Sequence, residues 1–96
     1  MRVPMRAQVI CIANMQTVRG VTWNLSESGI QVESPELRKQ ADVQLTFRLP
    51  MSDAIIEALG AVIWVSGRRN GIRFKQVGEQ SRNLIRHFIE ERTQLS

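Results

Sequence analysis

A chain of 96 residues with 13 Lys and Arg against 9 Asp and Glu has a net charge of +4, and 43% of its residues are hydrophobic. That length gives one domain able to bury about 60–65% of its unfolded surface, and the composition excludes a disordered or repetitive chain. The longest apolar runs, such as residues 61–65, fall far short of the ~20 residues of a membrane helix. No signal-peptide core opens the chain, and its single cysteine, Cys11, cannot form an internal disulfide. The expectation is a cytoplasmic domain that does not insert into membranes. Most of the cations are arginines, whose planar fork grips phosphate in two places, so an anionic partner is expected.

Residues 1–6 read as a flexible basic arm in which Pro4 opposes regular structure. Alternation predicts a strand over residues 7–13. Val9 and Cys11 take one face and Ile10 and Ile12 the other, which calls for cover on both sides. After a turn at 14–16, residues 19–24 form a half-buried strand through Val21 and Trp23. The polar connection Asn24-Leu25-Ser26-Glu27-Ser28-Gly29 follows. Asn and Ser can bond their own nearby backbone, and Gly supplies a positive φ. Such a turn gathers hydroxyl, amide and N–H groups in one place, which suits an oxygen-rich or phosphate-bearing ligand.

In the next strand Ile30 and Val32 face one way and Gln31 and Glu33 the other. Ser34-Pro35-Glu36 reads as a turn running into one helical turn through Leu37 and Arg38. Val43, Leu45, Phe47 and Leu49 then alternate cleanly until Pro50 stops the strand. A turn at 51–53 leads to a long bent strand over 55–65, with Gly60 where a bulge would sit. Gly67-Arg68-Arg69-Asn70-Gly71 reads as a hairpin loop whose Asn-Gly pair supplies the positive φ values. Beyond it Ile72 and Phe74 face inward and Arg73 and Lys75 outward. Leu84, Ile85, Phe88 and Ile89 mark the apolar stripe of a helix over 79–93, with Glu79 and Arg92 placed to suit its dipole. Six strands in meander order and one helix predict a single domain over 1–96. It is mainly β: a six-stranded antiparallel barrel over 7–77 followed by a C-terminal α-helix over 78–93.

No enzymatic constellation is present. His87 reads as a flank residue of the helix and Cys11 as a small buried hydrophobe. No carboxylate pair, metal-ligand cluster or phosphate-cradling loop occurs, so no catalysis, metal or cofactor is expected. Arg68, Arg69, Arg73 and Lys75 form a basic block that reads first as a solvated hairpin edge. Trp23 and Trp64 read as core. Five aromatic residues, most of them at core-facing positions, are too few for the stacking platforms of a single-strand nucleic-acid binder, and no DNA partner is expected.

Two segments carry a resemblance. Arg2-Val-Pro-Met-Arg6 and Asn24-Leu-Ser26-Glu-Ser-Gly29 resemble the R-x-x-x-R and [D/N]-x-S-x-x-G motifs of the PilZ domain, the bacterial receptor domain for cyclic di-GMP. Gly60-Ala-Val-Ile-Trp64, Gly71-Ile-Arg-Phe74 and the terminal amphipathic helix are similar to the rest of the family, so the resemblance covers essentially the whole chain. It implies a PilZ-like barrel in which Arg2 and Arg6 clamp cyclic di-GMP. Asn24, Ser26 and Gly29 would form the platform beneath it, with Ser28, Arg68, Arg69 and Arg73 as secondary candidates. Two registers are open. Family members often place the second clamp arginine directly before Val-Pro, which makes Arg2 that residue with its partner upstream. Arg2 precedes Asn24 by 22 residues and Arg6 by 18, and the longer interval is the more typical. The resemblance implies a receptor that couples ligand to a protein partner or neighbouring domain by ordering the arm, and it is compatible with a homodimer. The alternative is a protein-interaction module that binds no nucleotide.

Overall fold

The computed structural model describes residues 1–35 and 37–94. Seven strands precede one helix: β1 (Arg2–Pro4), β2 (Gln8–Ala13), β3 (Gln16–Ser26), β4 (Gly29–Glu33), β5 (Asp42–Arg48), β6 (Ile55–Ser66), β7 (Arg69–Val77) and α1 (Glu79–Gln94). Every pairing is antiparallel. Strands β3-β2-β5-β6-β7-β4 follow one another, and β4 returns to β3, so six strands close into a barrel with β1 added beside β3. This is the expected barrel and terminal helix, but it is not a simple meander. Two three-strand meanders are joined because β5 pairs with β2 and β7 with β4.

The inward residues of all these strands make one core, including Val9, Cys11, Leu25, Val32, Val43, Leu45, Phe47, Ile56, Val62 and Ile72. Helix α1 packs against β1, β3 and β6 and adds Ile85, Phe88 and Ile89 to that core. Closure removes the sheet edges except where β1 lies, and Pro4 sits there, on an edge strand where its missing N–H costs nothing. Pro4 therefore belongs to a short strand, although proline opposes regular structure. Val3 and Met5 on either side of it are buried.

Three local expectations are corrected. Ile10 and Ile12 stand on the open outer surface, 41% and 39% exposed, because the helix covers other strands. The β6–β7 turn is Gly67-Arg68, with the positive φ at Gly67 (61°) rather than at Asn70-Gly71. Asn70 is instead buried within β7, where its amide donates to the Ser34 carbonyl and hydroxyl and to the Arg68 carbonyl. Leu37 and Arg38 form no helical turn, and Glu36, part of that expectation, lies outside the described residues. The predicted bulge at Gly60 is present, with the β6–β7 register shifting between Leu59 and Gly60.

Candidate functional site

The polar connection is tighter than its six residues suggest. Asn24 to Ser26 still belong to β3, Gly29 opens β4, and only Glu27 and Ser28 turn the corner. The Ser26 hydroxyl organises it, accepting the Ser28 N–H at 3.3 Å and the Gly29 N–H at 3.1 Å. It also lies 3.3 Å from the Gly29 carbonyl, to which it donates, and 3.2 Å from the Ser28 hydroxyl. Gly29 has no positive φ; glycine is required there for clearance, since a Cβ would run into the Ile72 carbonyl on β7. On the outside, Glu27 accepts from the Arg86 guanidinium at 3.0 Å, tying the turn to α1.

Directly opposed residues of an antiparallel ladder share a face, and that rule assembles the site. Arg2 opposes Ser26, and Pro4 opposes Asn24. Asn24 opposes Gln31, Gln31 opposes Gly71, and Gly71 opposes Trp64. One row over, Gly29 opposes Arg73, and on the other side Glu33 opposes Arg69. The intervening Leu25, Ile30 and Ile72 are buried in the core, so these rows all lie on the outer surface of β1, β3, β4 and β7. The structure therefore brings Arg2, Asn24, Ser26, Gly29, Arg69 and Arg73 onto one face. Ser28 stands at its rim, while Arg68 lies in the β6–β7 turn, with its carbonyl taken by Ser34 and Asn70.

Arg6 reaches the same face by another route. The β3–β4 register shifts between Thr22 and Asn24. Thr22 and Leu25 are both fully buried, so Trp23 and Asn24 between them turn outward together. The bend between β1 and β2 is fastened to this bulge. Thr22 Oγ1 donates to the Met5 carbonyl at 2.7 Å and accepts the Ala7 N–H at 2.8 Å, and the Met5 N–H bonds the Trp23 carbonyl. Arg6, at the centre of that bend, holds its guanidinium 5.1 Å from the Trp23 ring centroid, and Arg69 lies 3.9 Å from the same centroid. Both are within cation–π range. The indole N–H donates to Glu33 Oε1 at 3.1 Å.

Trp23 and Trp64 are thus half-buried face residues rather than core. Trp64 lies flat across Gly71, where any Cβ would strike its indole. Sequence reading passed over Gln31, Glu33 and both tryptophans as site residues. The alternation of β4 did mark Gln31 and Glu33 as outward, whereas nothing local announces that Thr22 rather than Trp23 is the inward residue of β3.

Asn24 adds a chemical signal. Its Oδ1 is buried with no hydrogen-bond partner among the described residues. A buried polar atom is nearly always satisfied, so this position in an arginine-bearing face calls for a donor that the described residues do not supply. The thiol of Cys11, fully buried inside the barrel, is pushed up to about 11 by desolvation and takes no part in this face. Among the described residues no group of three or more His, Cys, Asp or Glu side chains converges as metal ligands would, and no helix is long and apolar enough to cross a membrane.

The family model of the PilZ domain matches residues 1–91, and the chain belongs to that family. The fold agrees with two solved structures. The structure of the Bacillus subtilis inhibitor of motility, MotI/DgrA, superposes with a TM-score of 0.81 at 16% identity, covering 97% of this chain and 50% of that one. The PilZ domain of CeSA from a cellulose-synthesizing bacterium superposes with a TM-score of 0.66 at 21% identity, covering 88% of this chain and 90% of that one. This chain thus spans half the length of the motility inhibitor. No curated protein matches it. PilZ domains are binding modules rather than a catalytic family.

Proposed function

We propose that this chain is a cyclic di-GMP receptor domain whose site is the outer face of β1, β3, β4 and β7. The observation that carries the reading is the convergence of Arg2, Ser26, Gly29 and Arg73 in consecutive rows of one sheet surface around Asn24, whose buried Oδ1 has no hydrogen-bond partner among the described residues. The ligand is a dianion with two planar purines. Arginines meet its phosphates by bidentate charge-assisted bonds and its bases by stacking. The turn adds a hydroxyl and an exact-fit glycine beneath it. Strands lie about 4.8 Å apart, so Arg2 on β1 and Arg73 on β7 stand roughly 14 Å from each other across the face, a separation suited to a cyclic dinucleotide.

Arg2 is the primary clamp in this reading, because it stands directly opposite Ser26. Arg6 acts from the Trp23 side, so the two arginines approach from different directions. Coupling to a protein partner or neighbouring domain would run through β1, whose Val3 lies in the core that α1 completes, and through the Glu27–Arg86 bridge. Binding that holds Arg2 would stabilise β1 against β3 and so bias the helix packed on it.

Calorimetric titration with cyclic di-GMP tests the proposal. Micromolar binding that weakens at least tenfold in Arg2→Ala supports it, since a charge-assisted bond contributes on the order of 1.5–3 kcal/mol. No heat from the wild-type domain at ~100 μM would favour a protein-interaction module that binds no nucleotide.

A further inference from the structure

We propose that Glu33, held by the Trp23 indole, selects guanine over adenine in the bound dinucleotide; this rests on the cyclic di-GMP reading. Among the described residues Glu33 is the acid of β1, β3, β4 and β7, the strands that carry Arg2, Arg69 and Arg73. A carboxylate there repels a dianionic ligand, so its charge works against the function of the face unless it makes a contact of its own. Neutralising Arg69 does not account for it. The two residues oppose each other in the β4–β7 ladder, yet they form no ion pair, and Arg69 lies over Trp23 instead. Bracing the indole does not require the charge either, because a glutamine oxygen would accept the Trp23 N–H equally well.

What remains is the second carboxylate oxygen. Oε1 is fixed by the indole N–H at 3.1 Å, and Oε2 has no hydrogen-bond partner among the described residues. An ionised carboxylate is an acceptor only. Guanine presents two adjacent donors on its Watson–Crick edge, N1–H and the N2 amino group, whereas adenine places an acceptor at N1. The carboxylate therefore accepts a guanine edge and repels an adenine one, the kind of polar readout that discriminates strongly between near-isosteres. The planar groups of Trp23, Arg6 and Arg69 gather beside it, so a base stacked among them brings its edge to Glu33. Position suits this as well. Glu33 lies four residues along β4 from Gly29, about 13 Å, which leaves room for a phosphate at the Ser26 end and a base at the Glu33 end.

The test is the ratio of affinities for cyclic di-AMP and cyclic di-GMP, measured calorimetrically at fixed salt for the wild type, Glu33→Gln, Glu33→Asp and Trp23→Phe. The wild type should prefer the guanine ligand by about 100-fold or more. Glu33→Gln should cut that ratio at least tenfold. Glu33→Asp, which keeps the charge but withdraws it by one methylene, should also lower it, and Trp23→Phe, which keeps a ring but loses the N–H, should lower it partway. Circular dichroism and melting curves identify any variant that misfolds, and the two Glu33 variants give independent readings. A ratio unchanged in both folded Glu33 variants overturns the assignment while leaving the receptor reading intact. A wild type that binds neither dinucleotide overturns the receptor reading, and the assignment with it.

Discussion

Ser26 places one hydroxyl between the N–H groups of Ser28 and Gly29 and the Gly29 carbonyl. Removing it in Ser26→Ala leaves those N–H groups without their acceptor, so the domain should lose about 1–2 kcal/mol in urea denaturation as well as affinity for the ligand. Gly29→Ala should be more damaging, about 1–3 kcal/mol, because the Ile72 carbonyl occupies the space of the new methyl group. Cys11 makes a separate prediction. Its folded-state value is raised from 9.0 to about 11 by burial, so the native state holds the thiol proton more tightly than the unfolded chain. That contribution to stability is full below pH 9 and is lost as pH rises towards 11. Thermal melts should therefore fall across that window in the wild type and less in Cys11→Ala. Iodoacetamide should label the native thiol slowly at pH 8 and rapidly in urea.

These residues differ in how openly the sequence announces them. Asn24, Ser26 and Gly29 were legible because turn chemistry is local: the hydroxyl and the N–H groups it binds lie within three residues. The reason for Gly29 was not, since it depends on a strand more than forty positions away. Trp23 reads as core because an apolar residue alternating with a threonine is taken as the inward one, yet Thr22 is the buried residue here, held by its bonds to Met5 and Ala7, and Val21 opposes the outward Glu33. Asn70-Gly71 was misread for the opposite reason. The pair is a strong local turn former, but the buried amide of Asn70 and the seat of Trp64 on Gly71 outweigh that preference.

Among the elements, β1 and the bend after it carry the most consequence, because they bring Arg2 and Arg6 to the face. Thr22 is the fastener. Thr22→Val keeps the shape but strands the Ala7 N–H and the Met5 carbonyl, so stability should fall by about 1–3 kcal/mol. Hydrogen exchange should quicken at Met5 and Ala7 well before it does in β5 or β6. The Glu27–Arg86 bridge behaves differently. Both side chains are about half exposed, so Arg86→Ala should change stability by less than about 1 kcal/mol. Any larger effect on the response of α1 to ligand would show the bridge acting in coupling rather than in folding. The element order was readable from alternation and turn residues, while the pairing of β2 with β5 and of β4 with β7 was not, because ladder partners distant in sequence leave no periodic mark.

At the scale of the molecule, a closed barrel leaves its interior to hydrophobic packing and its outer surface to recognition. Arg2, Arg6, Arg69 and Arg73 gather on one part of that surface and give it a local positive charge. Ligand held there should raise stability by about 2.7 kcal/mol at 100 times its dissociation constant, and by less in high salt. A cyclic di-GMP receptor of this kind takes its ligand on this face and on no other. Backbone and indole NMR shifts of the labelled domain titrated with cyclic di-GMP test it most directly. Perturbations should centre on Arg2, Asn24, Ser26, Gly29 and Gln31 and on the indole N–H groups of Trp23 and Trp64, with β5 and the groove between Met51 and Phe88 unmoved. Saturable shifts clustered in that groove or on β5, or a spectrum unchanged by the ligand, would contradict it.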